Sequence, residues 1–192
     1  MLTLLPVTSH DSIASRLCAA CGMCCNGVLF HTVRLQPGES PKELLSLGLK
    51  LKYKDRAQSL IQPCQAHRDS HCTIYEHRPQ RCRLFECRQL RRVASGEITE
   101  EAALEKIHDT IGKVDSVNAL FERMGNTNGK RPFTKRYKLI MATPVELSAD
   151  PEILELRNQL TTAVNELDDV LNRDFRPEGT ATTSAEDSDA AK

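Results

Sequence analysis

The chain has 192 residues, enough for one domain with a real core, and its 26 basic and 26 acidic residues cancel. That balance excludes a global field favouring nucleic acid or an anionic membrane, and no apolar run approaches the ~18 residues of a membrane span. Aromatics make up only 4% and Trp is absent, so the core must rest on Leu, Ile and Val.

The N-terminal Met-Leu-Thr-Leu-Leu-Pro-Val lacks the basic region and the long apolar run of a secretory signal. A cytosolic location, where thiols stay reduced, is therefore expected. Residues 9–27 read as a short helix capped by Ser9 or Asp11 and ended by Asn26-Gly27; a loop wrapped around a cluster, with Gly22 giving backbone freedom, fits as well. Val28 to Leu35 suits a strand, and Gln36-Pro37-Gly38 a turn. Ser40-Pro41-Lys42-Glu43 starts a helix with a cap, a first-turn proline and a capping-box glutamate, and Gly48 stops it. Leu49 to Tyr53 alternates as a half-exposed strand does.

Residues 62–76 are polar and irregular. Pro79 opens a predicted helix running to about Val93, ended by Ser95-Gly96. Thr99 caps a long helix with Glu100 and Glu101 in its first turn, where the helix dipole favours acid. Its apolar stripe is Leu104, Ile107, Ile111, Val114 and Phe121, and Gly125 ends it. Residues 126–136 read as a basic loop and Tyr137 to Ala142 as a strand. Asp150-Pro151 starts a second long helix with the stripe Ile153, Leu156, Leu160, Ala163, Leu167 and Val170. The two stripes predict an antiparallel helical pair. After Phe175 the composition is that of a disordered tail.

The chemistry lies in the cysteines. All eight fall between Cys18 and Cys87, four of them as Cys18-x2-Cys21-x2-Cys24-Cys25 and the rest as Cys64, Cys72, Cys82 and Cys87. In a reducing compartment such a concentration of soft donors points to metal rather than disulfides. Cys-x2-Cys-x2-Cys is the spacing of the first three ligands in a bacterial ferredoxin run, and a [4Fe–4S] cluster needs a fourth thiolate from elsewhere. Tetrahedral zinc accepts four cysteines equally, although the gaps between Cys64, Cys72, Cys82 and Cys87 are wider than in a zinc ribbon. Eight thiolates suffice for two four-cysteine sites without requiring them. Cys82 and Cys87 on one unbroken helix would point about 140° apart and could share an ion only if the helix broke between them. On a helix Cys18, Cys21 and Cys25 share a face and Cys24 points away. The stronger ligand candidates are Cys18, Cys21, one of Cys24 and Cys25, Cys64, Cys72 and Cys82; the other vicinal thiol and Cys87 are the less certain two.

His67, His71 and His77 lie near the second set and either replace a cysteine ligand or are ordinary surface residues. Arg78, Arg81, Arg83, Arg88, Arg91 and Arg92 form a basic run that either offsets thiolate charge or is a solvated helix face. A second basic stretch, Lys130, Arg131, Lys135, Arg136 and Lys138, carries too little aromatic interleaving for nucleic acid to be expected as a partner. No P-loop, G-x-S-x-G, H-E-x-x-H or G-x-G-x-x-G is present.

The cluster Cys18-x2-Cys21-x2-Cys24-Cys25, then Cys64, then Cys72-Thr-Ile74-Tyr75-Glu-His-Arg78-Pro79-Gln-Arg-Cys82-Arg83-Leu-Phe85, resembles the CxxCxxCC cysteine-cluster family of YkgJ-type zinc- or iron-chelating domains. The resemblance covers about residues 18–90. It implies a metal-binding role without an assigned reaction. A more distant similarity to the cysteine domain of flagellin lysine N-methylases implies that cluster-assisted methyl transfer from S-adenosylmethionine is conceivable. Where members commonly carry an aromatic or apolar residue just after the cysteine at position 64, this chain has Gln65-Ala66-His67.

The expected architecture is α+β: a small irregular cysteine-rich metal-binding module with short strands over residues 1–98, a helical pair over 99–175 packed on it, and a disordered tail over 176–192. Three functions remain open: a protein holding a cysteine-ligated iron–sulfur cluster or zinc, a cluster-dependent methyltransferase or redox enzyme, and a zinc-stabilised module whose helices bind a protein partner.

Overall fold

The computed structural model describes residues 12–54, 56–144 and 151–177. The expected caps Ser9, Asp11 and Asp150, and residues 178–192, lie outside them. Thirteen elements are ordered here by chain position, and the α+β class holds: α1 (Ile13–Cys21), β1 (Thr32–Arg34), α2 (Pro41–Ser46), β2 (Leu51–Lys54), β3 (Ala57–Ile61), β4 (His67–Arg68), β5 (His71–Cys72), a 3-10 turn (Tyr75–His77), α3 (Gln80–Leu84), α4 (Arg88–Ala94), α5 (Glu100–Arg123), α6 (Phe133–Ala142) and α7 (Pro151–Asp174).

Two apolar clusters carry the fold. The larger joins Leu17, Met23, Val28 and Leu29 of the cysteine segment to Ala103, Ile107, Val114, Val117 and Phe121 of α5 and Leu160, Leu167 and Leu171 of α7. The buried stripe of α5 therefore runs through Ala103, Thr110 and Val117 as well as the expected residues, while Leu104 and Ile111 flank it. On α7 Ile153 is exposed and the stripe continues through Leu171 to Phe175. Lys113 pairs with Glu166, and Leu120 lies beside Gln159, so α5 and α7 run antiparallel.

The smaller cluster, Leu44, Leu49, Leu60, Ala66 and Ile74, lies under a three-stranded antiparallel sheet of order β1-β3-β2. Thr32 faces Ile61 in one pairing and Leu51 faces Leu60 in the other. The central strand, β3, is the one the sequence reading left unassigned: Ala57-Gln-Ser-Leu-Ile61 buries only Leu60 and shows weak alternation. The Ser40 cap of α2 is as expected, its hydroxyl accepting from the Glu43 amide.

Three expectations change. α1 ends at Gly22, in the left-handed region at φ 62, five residues earlier than predicted, because its amide closes on Cys18 O. The helix from Pro79 is two helices, interrupted at Phe85–Cys87 where Phe85 turns extended and meets Phe30 edge-on at 4.9 Å. Residues 137–142 belong to a helix and not a strand: α6 buries Phe133, Arg136 and Ile140, and the Arg136 guanidinium lies over the Phe121 ring at 4.4 Å while bonding Asn118 and Asn126. The period-2 pattern of β-prone residues there loses to this i, i+3, i+7 burial. It also removes Arg136 from the supposed basic surface.

Leu160 is fully buried at the centre of the helical core whereas Leu84 is 71% exposed. Leu160→Ala is expected to destabilise the protein by about 2–5 kcal/mol and Leu84→Ala by no more than about 0.5 kcal/mol, measured by urea unfolding.

Candidate metal centre

The turn after α1 decides where four sulfurs go. Cys18 and Cys21 are helical and one turn apart. Beyond Gly22 the amides of Cys25 and Asn26 both donate to Gly22 O, at 2.8 and 2.9 Å, so Cys24 and Cys25 lie in a tight turn and not on a continuing helix. Met23, Val28 and Leu29 anchor that turn in the helical core. Its far end is clamped by α6: Phe133 N donates to Gly27 O, and Gly27, at φ 86, has room for no Cβ because one would meet Pro132 Cα at 3.2 Å. Cys64 N donates to Cys25 O at 2.7 Å, tying the turn to the segment after β3.

The charges acting on each thiol sort the eight. Burial is the largest influence raising Cys18, Cys21, Cys24, Cys25 and Cys82. Beyond it Cys87 raises Cys18 and Cys21, and Cys24 is raised by Cys21, Cys25, Cys87 and Cys18 in that order. Cys25 is raised by Cys64, Cys82, Cys72 and then Cys18, and Cys82 by Cys64 and Cys72. These influences outline one group of Cys18, Cys21, Cys24 and Cys87 and another of Cys25, Cys64, Cys72 and Cys82, joined through the vicinal pair, since Cys25 acts on Cys24 more strongly than Cys87 or Cys18 does. Packing follows the same division: Cys21 and Cys24 rest on the helical core, Cys64 and Cys72 on the small cluster under the sheet.

Spacing leaves open which of Cys24 and Cys25 joins Cys18 and Cys21; with the helix stopped at Gly22, Cys24 packs against the helical core and Cys25 is tied to Cys64 through its carbonyl. Cys87, expected to be marginal, stands within reach of three thiols of its group. The helix does break between Cys82 and Cys87, and the break sends them to different groups.

Burial is the main influence on these thiols. It pushes Cys21, Cys25 and Cys82 up to about 12 from the ordinary 9.0, and Cys24 well above 9.0. Backbone amides work the other way: those of Leu90 and Gln89 at the start of α4 favour the Cys87 thiolate, Ala66 and His67 that of Cys64, and Met23 that of Cys21. Arg78 favours the thiolates of Cys18 and Cys82, so one cation acts on both groups. Its guanidinium lies 3.5 Å over the Tyr75 ring and donates to Tyr75 O, the carbonyl role expected for it. The Tyr75 hydroxyl bonds Ser15 on α1 at 2.7 Å, linking the two cysteine segments again. Ile74 is buried beside Cys64 and Cys72, as expected.

Sequence reading missed Glu39. Its carboxylate accepts from Gln36 N and from Gln80 N at the start of α3, so it fixes the helix that carries Cys82. A turn glutamate 41 residues from its partner carries no local signal.

Among the described residues no three Cys, His, Asp or Glu donors stand in a set able to hold an ion as they are. The thiols lie within electrostatic reach of one another without converging, and closing either group on an ion takes side-chain rotation within it. The donor chemistry nevertheless fits soft metal: four thiols per group, amides directed at sulfur, and a cation beside both.

A family model described as "putative zinc- or iron-chelating domain", CxxCxxCC, matches residues 17–109. Residues 17–109 belong to the CxxCxxCC family. The match takes in all eight cysteines and the first turns of α5, and leaves α6 and α7 outside. Curated proteins and solved structures gave no match. Zinc or iron chelation is thus the coarse role of the domain. Among the described residues no helix is long and apolar enough to cross a membrane.

In the chelator-treated chain the raised thiols impose a pH dependence. Above 9.0 the unfolded chain releases thiol protons that the folded chain retains up to about 12. The urea midpoint is expected to be insensitive to these thiols below pH 9.0 and to fall as pH rises from 9.0 toward about 12. A midpoint that rises across that window contradicts the burial of these sulfurs.

Proposed function

We propose that the CxxCxxCC domain holds two four-thiolate metal centres, and that each takes a [4Fe–4S] cluster. Cys18, Cys21, Cys24 and Cys87 ligate the first; Cys25, Cys64, Cys72 and Cys82 ligate the second. What supports this is the setting of the vicinal pair: Cys24 packs with Cys21 against the helical core, while Cys25 O holds the Cys64 amide at 2.7 Å. In bacterial two-cluster ferredoxins a compact Cys-x2-Cys-x2-Cys run supplies three ligands to one cluster, while the next cysteine goes to the neighbouring cluster. Here Cys25 makes that crossing and the remote Cys87 completes the first group.

Bound clusters would supply one-electron chemistry, and each four-thiolate centre carries a net charge of about −2. The residues prepare for that charge. Arg78 offsets it at both groups, and the amides of Gln89 and Leu90 meet it at Cys87. The helical core holds the Met23–Gly27 turn in place.

Anaerobic purification is expected to give a coloured protein with about eight iron and about eight acid-labile sulfide per chain. Cys87→Ala and Cys72→Ala should each remove about half of both, one centre at a time, and the double variant nearly all. A colourless protein with stoichiometric zinc and no sulfide under anaerobic handling discards the clusters. Four iron per chain, lost entirely in either single variant, discards the division into two centres.

A further inference from the structure

Among the described residues three buried side-chain atoms lack a hydrogen-bond partner, Gln62 Oε1, Gln89 Oε1 and His67 Nε2, and only the last is a metal-ligating atom. Nε2 of His67 is buried and has no hydrogen-bond partner. Interiors rarely leave such an atom unsatisfied, because it has given up water for nothing.

Its position is specific. His67 follows Cys64 by three residues and stands opposite Cys72 in the β4–β5 pair, so it shares a short hairpin with one thiol of the second group and lies just beyond another. The other face of the ring meets the first cysteine segment. A Cβ added at Gly22 would lie 3.0 Å from both His67 Cε1 and Nε2, so only a glycine lets the ring come this close. Gly22 O in turn holds the Cys25 amide. The unpartnered nitrogen therefore sits where the segments bearing Cys25, Cys64 and Cys72 meet. Burial lowers the pKa of the ring, with His71 adding to the effect, so the imidazole is held in its neutral, ligating form. The neighbouring His71 is different: it is exposed and its Nδ1 already contacts Asp69 O at 2.6 Å.

We propose that His67 Nε2 is a ninth metal donor, belonging to the second centre together with Cys25, Cys64, Cys72 and Cys82. The inference rests on the reading of two thiol groups. It gives the second centre five donors for four positions, so one thiolate there is exchangeable with the imidazole.

The test uses the full chain loaded with 113Cd2+ as a single-ion probe of each group and labelled with 15N-histidine. Two cadmium resonances are expected, one of them split by an imidazole nitrogen. His67→Leu should keep both cadmium ions and abolish the splitting, and His71→Gln should keep it. Two unsplit resonances in the wild-type chain overturn the inference and leave the two thiol groups standing. Fewer than two thiolate-bound cadmium ions overturn the grouping, and this inference with it. Should His67→Leu fail to fold, the wild-type and His71→Gln spectra decide the matter, since splitting lost in His71→Gln assigns the nitrogen to His71 and overturns the role of His67.

Discussion

Two cysteines that are neighbours in the chain lie in one tight turn after α1, and the remainder of the cysteine module is arranged around that turn. The cause is a single backbone event. α1 stops at Gly22 in a left-handed conformation, and the next residues fold back onto Gly22 O. Had the helix continued, Cys25 would have stayed with Cys18 and Cys21, and Cys24 would have pointed away. With the helix stopped, Cys24 packs against the helical core and Cys25 is tied to Cys64 through its carbonyl. The turn then has to be held, because five residues bearing two buried thiols have little stability of their own. Met23, Val28 and Leu29 hold it from the helical core, Phe133 and Pro132 from α6, and Cys64 from the sheet side.

The helices and the cysteine segments are consequently one piece of engineering in the energetic sense. α5 and α7 supply the large apolar cluster, and the thiols of one group lie on its edge. The second group lies on a smaller cluster under a sheet of short strands. Burial makes the thiols of Cys18, Cys21, Cys24, Cys25, Cys64, Cys82 and Cys87 hard to ionise alone, and the few groups that favour thiolate, Arg78 and the amides at Cys87, Cys64 and Cys21, are placed at sulfur. Such an environment favours a neutral thiol or a metal-bound thiolate and disfavours a free thiolate, which suits chelation better than nucleophilic chemistry.

Local signals served well where a structure is decided locally. The Ser40 and Thr99 caps, the Pro41 start and the long stripes of α5 and α7 are all as the sequence indicates. They failed where a remote partner decides. Tyr137 to Ala142 has the residues of a strand, yet Arg136 and Ile140 are drawn onto Phe121 and the neighbouring core as parts of a helix. The helix from Pro79 reads as continuous, yet Phe85 leaves it to meet Phe30. Glu39 shows no motif and still fixes the start of α3.

The sequence by itself determined the α+β class and the match of residues 17–109 to the CxxCxxCC family, because residue type and spacing along the chain record that motif directly. It left open how the eight cysteines are shared out. How the cysteine segments meet depends on residues as much as 60 positions apart, such as Ser15 with Tyr75 and Cys25 with Cys64. Only the tertiary structure ends α1 at Gly22, ties the following turn to Cys64 and sets His67 against Gly22, because each of these follows from where a turn is held and not from what the turn contains.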